Sequence, residues 1–244
     1  MKPLVFAIGD IHGEYALFEE MIKNFDPHNH QLVLMGDLLD RGARSKESLL
    51  LGKKLVEDFD AVYLRGNHEE YFLQFLQSPE EWYMPYVRNG GKETMESLLH
   101  QGATEEYSPT EIALMIRSRY KELVDFLTQR PLYYEWQNYL FVHAGVDLTK
   151  KDWRQTSPRD FIWIREPFHE GENKTGKTIV FGHTITPALH GDMQTTDLWI
   201  NDNKVGIDGG AVFGGSLHGV IFDASGIIQD IEYQNMHGPW QPSF

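Results

Sequence analysis

Short apolar runs of strand length, LVFAI at 4–8, QLVLM at 31–35 and AVYL at 61–64, alternate with segments whose apolar residues recur at every third and fourth position. The segment from about 14 to 25 carries Leu17, Phe18, Met21, Ile22 and Phe25 at that spacing, and a similar pattern occupies about 45–58. Strand, helix, strand, helix, strand predicts a parallel βαβαβ unit. From about 69 to 130 no strand pattern occurs, so this stretch is expected to be mainly helical. Within it Ser108, Pro109 and Glu111 form a capping box with proline at the first helical position. They predict one long helix striped by Ile112, Met115, Ile116, Tyr120, Leu123, Val124 and Leu127, with Pro131 just beyond its end.

After Pro131 the runs LYYEW, YLFVH, TIVFG, TDLWI, KVGID, LHGVIFD and IIQDIEY predict a strand-rich second half with tight turns at Asn138, Asn201–Asn203 and Asp223–Gly226. A long polar loop is expected between Asp147 and Lys177. No repeat or linker interrupts the pattern, and one α/β domain is expected over 1–244.

Composition narrows the classes of function. A formal net charge of −14 works against general affinity for nucleic acid or anionic membrane, whose phosphates are attracted by clustered Lys and Arg. The absence of cysteine excludes disulfides, thiolate ligands and cysteine nucleophiles. The first apolar run, Leu4–Ile8, is too short for a secretory core, and no stretch approaches a membrane span. A cytoplasmic protein without membrane or nucleic-acid partners is expected.

The concentrated chemistry lies in five polar strings: GDIHG at 9–13, GDLLDRG at 36–42, GNHEE at 66–70, HAG at 143–145 and GHT at 182–184. The first four follow apolar runs, which places Asp10, His12, Asp37, Asn67 and His143, and less securely His183, at the ends of successive strands, where α/β sheets gather ligands. Asp10 and His12, two apart, point the same way on an extended segment. The carboxylate of Asp37 can bridge two cations. Each residue also has a bland alternative: Asn67 as a turn residue in the left-handed region, His143 and His183 as hydrogen-bonded turn histidines. Those alternatives fail jointly, because they leave several polar interruptions at one end of one sheet unexplained. Six oxygen and nitrogen donors are too many for one ordinary site and suit two cations sharing a bridge.

GDIHG, GDLLDRG, GNHE, HAG and GHT together resemble the signature series of the phosphoprotein phosphatase family within the calcineurin-like metallophosphoesterases, including its small bacterial and phage members. The likeness spans residues 4 to about 210, and its three N-terminal motifs are the specific part. It implies a sandwich of two sheets flanked by helices, with a binuclear centre at the strand ends. It also implies that Asp10, His12 and Asp37 hold one cation while Asp37, Asn67, His143 and His183 hold the other. Oxygen and nitrogen donors suit Mn²⁺, the leading expectation, or Fe or Zn²⁺. Such a pair lowers the pKa of a bridging water and neutralises phosphate oxygens for in-line attack.

By the same resemblance His68 is the acid that protonates the leaving alkoxide, and Asp40 fixes its tautomer. Arg41, and Arg165 in WIR at 163–165, are the candidate phosphate clamps. The bland alternatives are a surface histidine for His68, a turn former for Asp40 and an exposed loop arginine for Arg165. Glu69 and Glu70 are expected only to favour a helix N-terminus, Arg65 to pair with a carboxylate, and Asp208 to be a turn residue rather than a site support. His28, His30, His100, His169, His190, His218 and His237 belong to no motif and are expected to be structural or exposed.

Three functions compete. A serine/threonine protein phosphatase leads, acting on phosphoprotein or small phosphoester substrates. A dinucleoside polyphosphate hydrolase of the bis(5'-nucleosyl)-tetraphosphatase type comes second, disfavoured because that branch typically reads ARG and GNHD where this chain has Asp40 in DRG and Glu69 in GNHE. A non-catalytic regulatory scaffold comes third, and it has no physical need for six donors and an acid.

Overall fold

Alternation within each apolar run decides how the layers stack. The computed structural model describes residues 2–236. Its first half runs β1 (Leu4–Ile8), α1 (Tyr15–Ile22), β2 (His30–Leu34), α2 (Ser45–Phe59), β3 (Val62–Tyr63), then six helices: α3 (Asn67–Gln77), α4 (Pro79–Arg88), α5 (Gly91–Leu98), α6 (Ala103–Glu106), α7 (Pro109–Arg119) and α8 (Lys121–Thr128). The second half runs β4 (Tyr133–Trp136), β5 (Tyr139–Val142), α9 (Pro158–Trp163), α10 (Glu166–His169), β6 (Thr178–Phe181), α11 (Thr186–His190), β7 (Trp199–Asn201), β8 (Lys204–Gly206), β9 (Asp208–Gly209), β10 (Ser216–Phe222) and β11 (Ile227–Gln234).

One sheet has the order β11-β10-β1-β2-β3 with β9 paired to β10, and the other β4-β5-β6-β8-β7. The predicted βαβαβ unit is present, since β1 pairs with β2 and β2 with β3 in parallel. On β1, Val5 and Ala7 face an inter-sheet core that Val33, Phe141, Val180 and Phe222 share, whereas Phe6 and Ile8 face the helices of the first half. On β5 and β6, Leu140, Val142, Ile179 and Phe181 face outward against Trp153, Phe161, Ile162 and Phe168. Strands buried on both faces explain why these runs are continuously apolar rather than alternating. Each fully buried Phe or Ile contributes about 2 kcal/mol relative to exposure. Helices, sheet, sheet and helices are therefore four packed layers, the α/β sandwich that the resemblance implies.

Two expectations change. The long helix breaks at Tyr120, whose backbone leaves helical geometry (φ −124°, ψ 34°) and whose hydroxyl donates to the Leu98 carbonyl at 2.7 Å. The apolar stripe crosses the break, so periodicity could not reveal it. The 147–177 loop is partly ordered as α9, α10 and a 3-10 turn at Trp153–Gln155, because Trp153, Phe161, Ile162 and Phe168 cover the outer face of the second sheet. His237 lies outside the described residues.

Candidate metal centre

Every proposed ligand sits just past a strand, all but Asn67 in a turn, and the backbone there is unusual. His12, Asp37, Asp40, Arg41 and His183 are five of the nine non-glycine residues with positive φ among the described residues. Such conformations cost energy and persist where surrounding contacts fix them, typically at functional sites. The expectation of a simply extended Asp10–His12 segment gives way to a turn, with His12 at φ 46°. Asn67 is not a left-handed turn residue: with His68 it opens α3, behind Gly66 as N-cap.

Backbone bonds tie the turns together. The amides of Ile11 and His12 donate to the Asp37 carbonyl at 3.1 and 2.8 Å, and Gly182 donates to the His143 carbonyl at 2.8 Å. Glycine is required where the ligands crowd. A Cβ on Gly66 would lie 2.1 Å from Asp37 Oδ1, and one on Gly182 would lie 2.1 Å from Asp10 Oδ1.

Asp37 is the hub. Its Oδ1 accepts the His68 amide at 2.9 Å, so Oδ2 is the oxygen that faces three imidazoles: His143 Nε2 at 3.4 Å, His12 Nε2 at 3.6 Å and His68 Nε2 at 4.0 Å. Two groups could each hold a metal ion, their donor atoms lying within 4.8 Å of one another: Asp37 with His143 and His183, and Asp37 with His12 and His68. Asp37 is common to both. Asn67 joins the first group, with its Oδ1 2.9 Å from His143 Nε2. Asp10 lies outside both groups at that spacing: its Oδ2 accepts the His183 amide at 3.0 Å, and its Oδ1, buried without a partner, is the oxygen left for a cation.

The donor set fits cations on independent grounds. His12 Nδ1 lies 2.9 Å from the Leu39 carbonyl and His143 Nδ1 2.9 Å from the Met35 carbonyl, so these nitrogens donate and each Nε2 is left toward the pit. His183 Nε2 is buried with no hydrogen-bond partner. Burial, and then the neighbouring Arg41, push the His12 imidazole well below its ordinary pKa; burial and His143 do the same to His183, so both rings are neutral. Asp10, Asp37 and Asp208 bring three buried carboxylates to this point. Burial alone would push His143 down, but the Asp37 and Asp10 carboxylates outweigh it and raise its pKa to about 10. The pit demands positive charge.

Beside the hub stands a second arrangement. His68 Nδ1 lies 2.8 Å from Asp40 Oδ2, and the other Asp40 oxygen accepts the Tyr86 and Thr94 hydroxyls, each at 2.6 Å. All four side chains are buried. This keeps a proton on Nδ1 and aims Nε2 at the Asp37 side. Arg41 Nη1 donates to His12 Nε2 at 2.6 Å, and Arg165 Nη1 donates to Thr184 Oγ1 at 2.7 Å. Both arginines line one cleft of about 1380 Å³, together with His183 and Asp208.

Three supports were not legible as such. Asp208 is no mere turn residue: it pairs with Leu217 in the first sheet directly after β8 of the second, and its charge adds to burial in raising the pKa of Asp10. Glu69 does more than favour a helix end. Its buried carboxylate accepts the amides of Gly66, Asp37 and Leu38 at 2.8–2.9 Å and the Tyr63 hydroxyl at 2.7 Å, fastening the Asp37 turn to α3. Lys204, also buried, donates to the carbonyls of Phe168, His169 and Gly171 and so closes the segment that carries Arg165. IDGG after a strand was a usable signal for Asp208. Glu69 and Lys204 find their partners far along the chain and left none. Arg65 pairs with Glu70 at 3.2 Å, as expected.

Comparison with known proteins bears on this geometry. The family model described as calcineurin-like phosphoesterase matches residues 3–218. The chain belongs to the calcineurin-like phosphoesterases. Among relatives of this phosphoesterase, the asymmetrical bis(5'-nucleosyl)-tetraphosphatase PrpE of Oceanobacillus iheyensis is 27% identical, covering 86% of this chain and 85% of its own length. Serine/threonine-protein phosphatase 1 of Salmonella typhimurium is 26% identical, covering 87% and 89%. In structure the phosphoesterase resembles a putative diadenosine tetraphosphatase with a TM-score of 0.69 at 19% identity, over 98% of this chain and 96% of that one, a likeness of fold. These two relatives carry different names, a tetraphosphatase and a serine/threonine-protein phosphatase, and the calcineurin-like phosphoesterase family is what the chain is shown to belong to.

Proposed function

We propose that this phosphoesterase is a metal-dependent phosphomonoesterase acting on phosphoserine and phosphothreonine in proteins. The observation that carries the reading is the His68–Asp40 pair, at 2.8 Å, set beside the Asp37 hub. A serine or threonine alkoxide is a poor leaving group and needs a proton as it departs, whereas a nucleotide leaving from an anhydride needs one far less. An acid placed here suits the former.

In this reading Asp10, His12 and Asp37 would hold one divalent ion, and Asp37, Asn67, His143 and His183 the other. Bound there, two ions supply a water of lowered pKa and positive charge against the phosphate oxygens. The chain's own residues do the rest. Arg41 and Arg165 bind the non-reacting phosphate oxygens from the cleft they line, and Arg41 leaves His12 Nε2 to do so. His68 donates from Nε2 to the departing oxygen while Asp40 holds the ring through Nδ1. Tyr86 and Thr94 keep the Asp40 carboxylate from turning. No covalent phosphoenzyme is required.

The second reading, hydrolysis of dinucleoside polyphosphates, is favoured by relatives named as bis(5'-nucleosyl)-tetraphosphatases. The deciding experiment is a comparison of phosphoserine, phosphothreonine and phosphotyrosine peptides with diadenosine tetraphosphate at one Mn²⁺ concentration. The proposal expects the highest kcat/KM on phosphoserine or phosphothreonine; faster cleavage of the dinucleotide would assign the second reading.

A further inference from the structure

A second cleft, of about 790 Å³, reaches the pit at Asn67. Asn67 is the one proposed metal or phosphate ligand that lines it, so the cleft is not the phosphate site itself. Its walls carry Arg65, Arg130 and Arg159 together with Tyr71, Trp82 and Trp163. The aromatic wall begins at two histidines of the pit: the Tyr71 ring lies 6.1 Å from His68, Trp163 lies 5.7 Å from His183, and Tyr71 joins Trp163 at 5.2 Å and Trp82 at 5.9 Å.

The three arginines face a single lining carboxylate, Glu70, in a chain whose net charge is −14. Two of them are propped in place. Arg130 lies over the Phe126 ring at 3.7 Å and donates Nε to the Phe126 carbonyl at 2.9 Å. Arg65 is held by Glu70 and the Thr128 carbonyl, with its Nε buried and unpartnered. Arg159 is exposed and makes no hydrogen bond or ion pair among the described residues. Fixed positive charge maintained against the sign of the molecule indicates an anionic occupant. Tryptophan, tyrosine and arginine are also the side chains that dominate protein-recognition hot spots. Tyr71 meets Trp82 at 60° and Trp163 at 88°, so these pairs offer no parallel faces between which a nucleobase could be sandwiched.

We propose that this cleft receives an acidic stretch of the substrate polypeptide beside the phosphorylated residue, its carboxylates meeting Arg130 and Arg159 and its apolar parts packing on Tyr71 and Trp82. This deepens, and rests on, the phosphoprotein reading. It makes Arg159 and Arg130 specificity determinants for acidic flanking sequence.

The test uses the full chain with Mn²⁺ and phosphoserine peptides that differ only in Asp, Ala or Lys on each flank, with p-nitrophenyl phosphate in parallel to report on the pit alone. Wild-type protein should prefer the acidic peptide on the order of fivefold in kcat/KM, through KM, and the preference should fall as salt is raised. Arg159→Glu should abolish or invert it, and Arg130→Gln should reduce it. Equal rates on acidic and neutral peptides, or a preference that survives both substitutions, would overturn the proposal while leaving the phosphatase reading intact. Cleavage of p-nitrophenyl phosphate but of no phosphopeptide would overturn that reading and the cleft assignment with it. Absence of acidic preference together with loss of diadenosine tetraphosphate cleavage in Trp82→Ala would give the cleft to a nucleotide.

Discussion

His68 separates a catalytic acid from a bystander, because the two predict different dependence on the leaving group. His68→Ala should slow hydrolysis of phenyl phosphate by 10²-fold or more, about what a positioned acid contributes, and should slow a dinitrophenyl phosphate far less. Equal losses on both would remove the acid role. A second histidine carries a pH effect unrelated to catalysis. His218 lies with Nδ1 2.9 Å from Asp230 Oδ1 and Nε2 2.7 Å from the Thr196 carbonyl, two acceptors, so both ring nitrogens donate and the ring is charged. Burial opposes that charge, but the Asp230 bond outweighs it and raises the pKa above the ordinary value. A raised folded pKa adds stability that is fully present below about 6.5, the unfolded value, and is lost as pH rises through the folded value. The stability gap between wild type and His218→Gln should therefore be largest near pH 6 and shrink on the alkaline side; a gap that is constant or grows with pH contradicts the charged ring. Sequence alone placed His218 only among structural or exposed histidines, since its partners Asp230 and Thr196 belong to a hairpin neighbour and a distant loop.

Strands and motif turns were legible because each is local. An apolar run of four or five residues ending in a polar motif, Gly-Asp after β1 and β2, His-Ala-Gly after β5 and Gly-His-Thr after β6, reports both the strand and the polar turn after it. What joins the elements was not legible. The pairing of α3 with the Asp37 turn depends on Glu69 meeting amides 31 and 32 residues earlier in the chain. From the sequence that glutamate looks like any acidic residue in a first helical turn. Its contribution is measurable. Glu69→Gln replaces one acceptor oxygen with an NH₂ group facing backbone donors, which should cost about 2–3 kcal/mol of stability and lower activity by releasing Asp37. Unchanged unfolding midpoint and unchanged kcat/KM would show that α3 holds the turn without it. The break between α7 and α8 was hidden for the converse reason: Ile112, Ile116, Leu123 and Leu127 face the same core on either side of it.

Taken together, the sandwich stacks two sheets so that the strand ends of both open into one pit, and the chain concentrates there three buried carboxylates and four histidines that no solvent neutralises. Burying that many ionisable groups is costly unless cations pair with them. The resemblance supplied the ligand set, and the geometry adds why Asp37 must be shared: one oxygen faces the imidazoles of both groups while the other is taken by the His68 amide. Binding by calorimetry, with metal content read on the same samples, addresses this sharing. Wild-type protein saturated with Mn²⁺ should take up two ions per chain, and Asp37→Asn, folded by circular dichroism, should lose both tight sites and its activity on p-nitrophenyl phosphate. A single ion at saturation, or two ions bound as tightly by Asp37→Asn as by wild type, would contradict a centre built around one shared carboxylate.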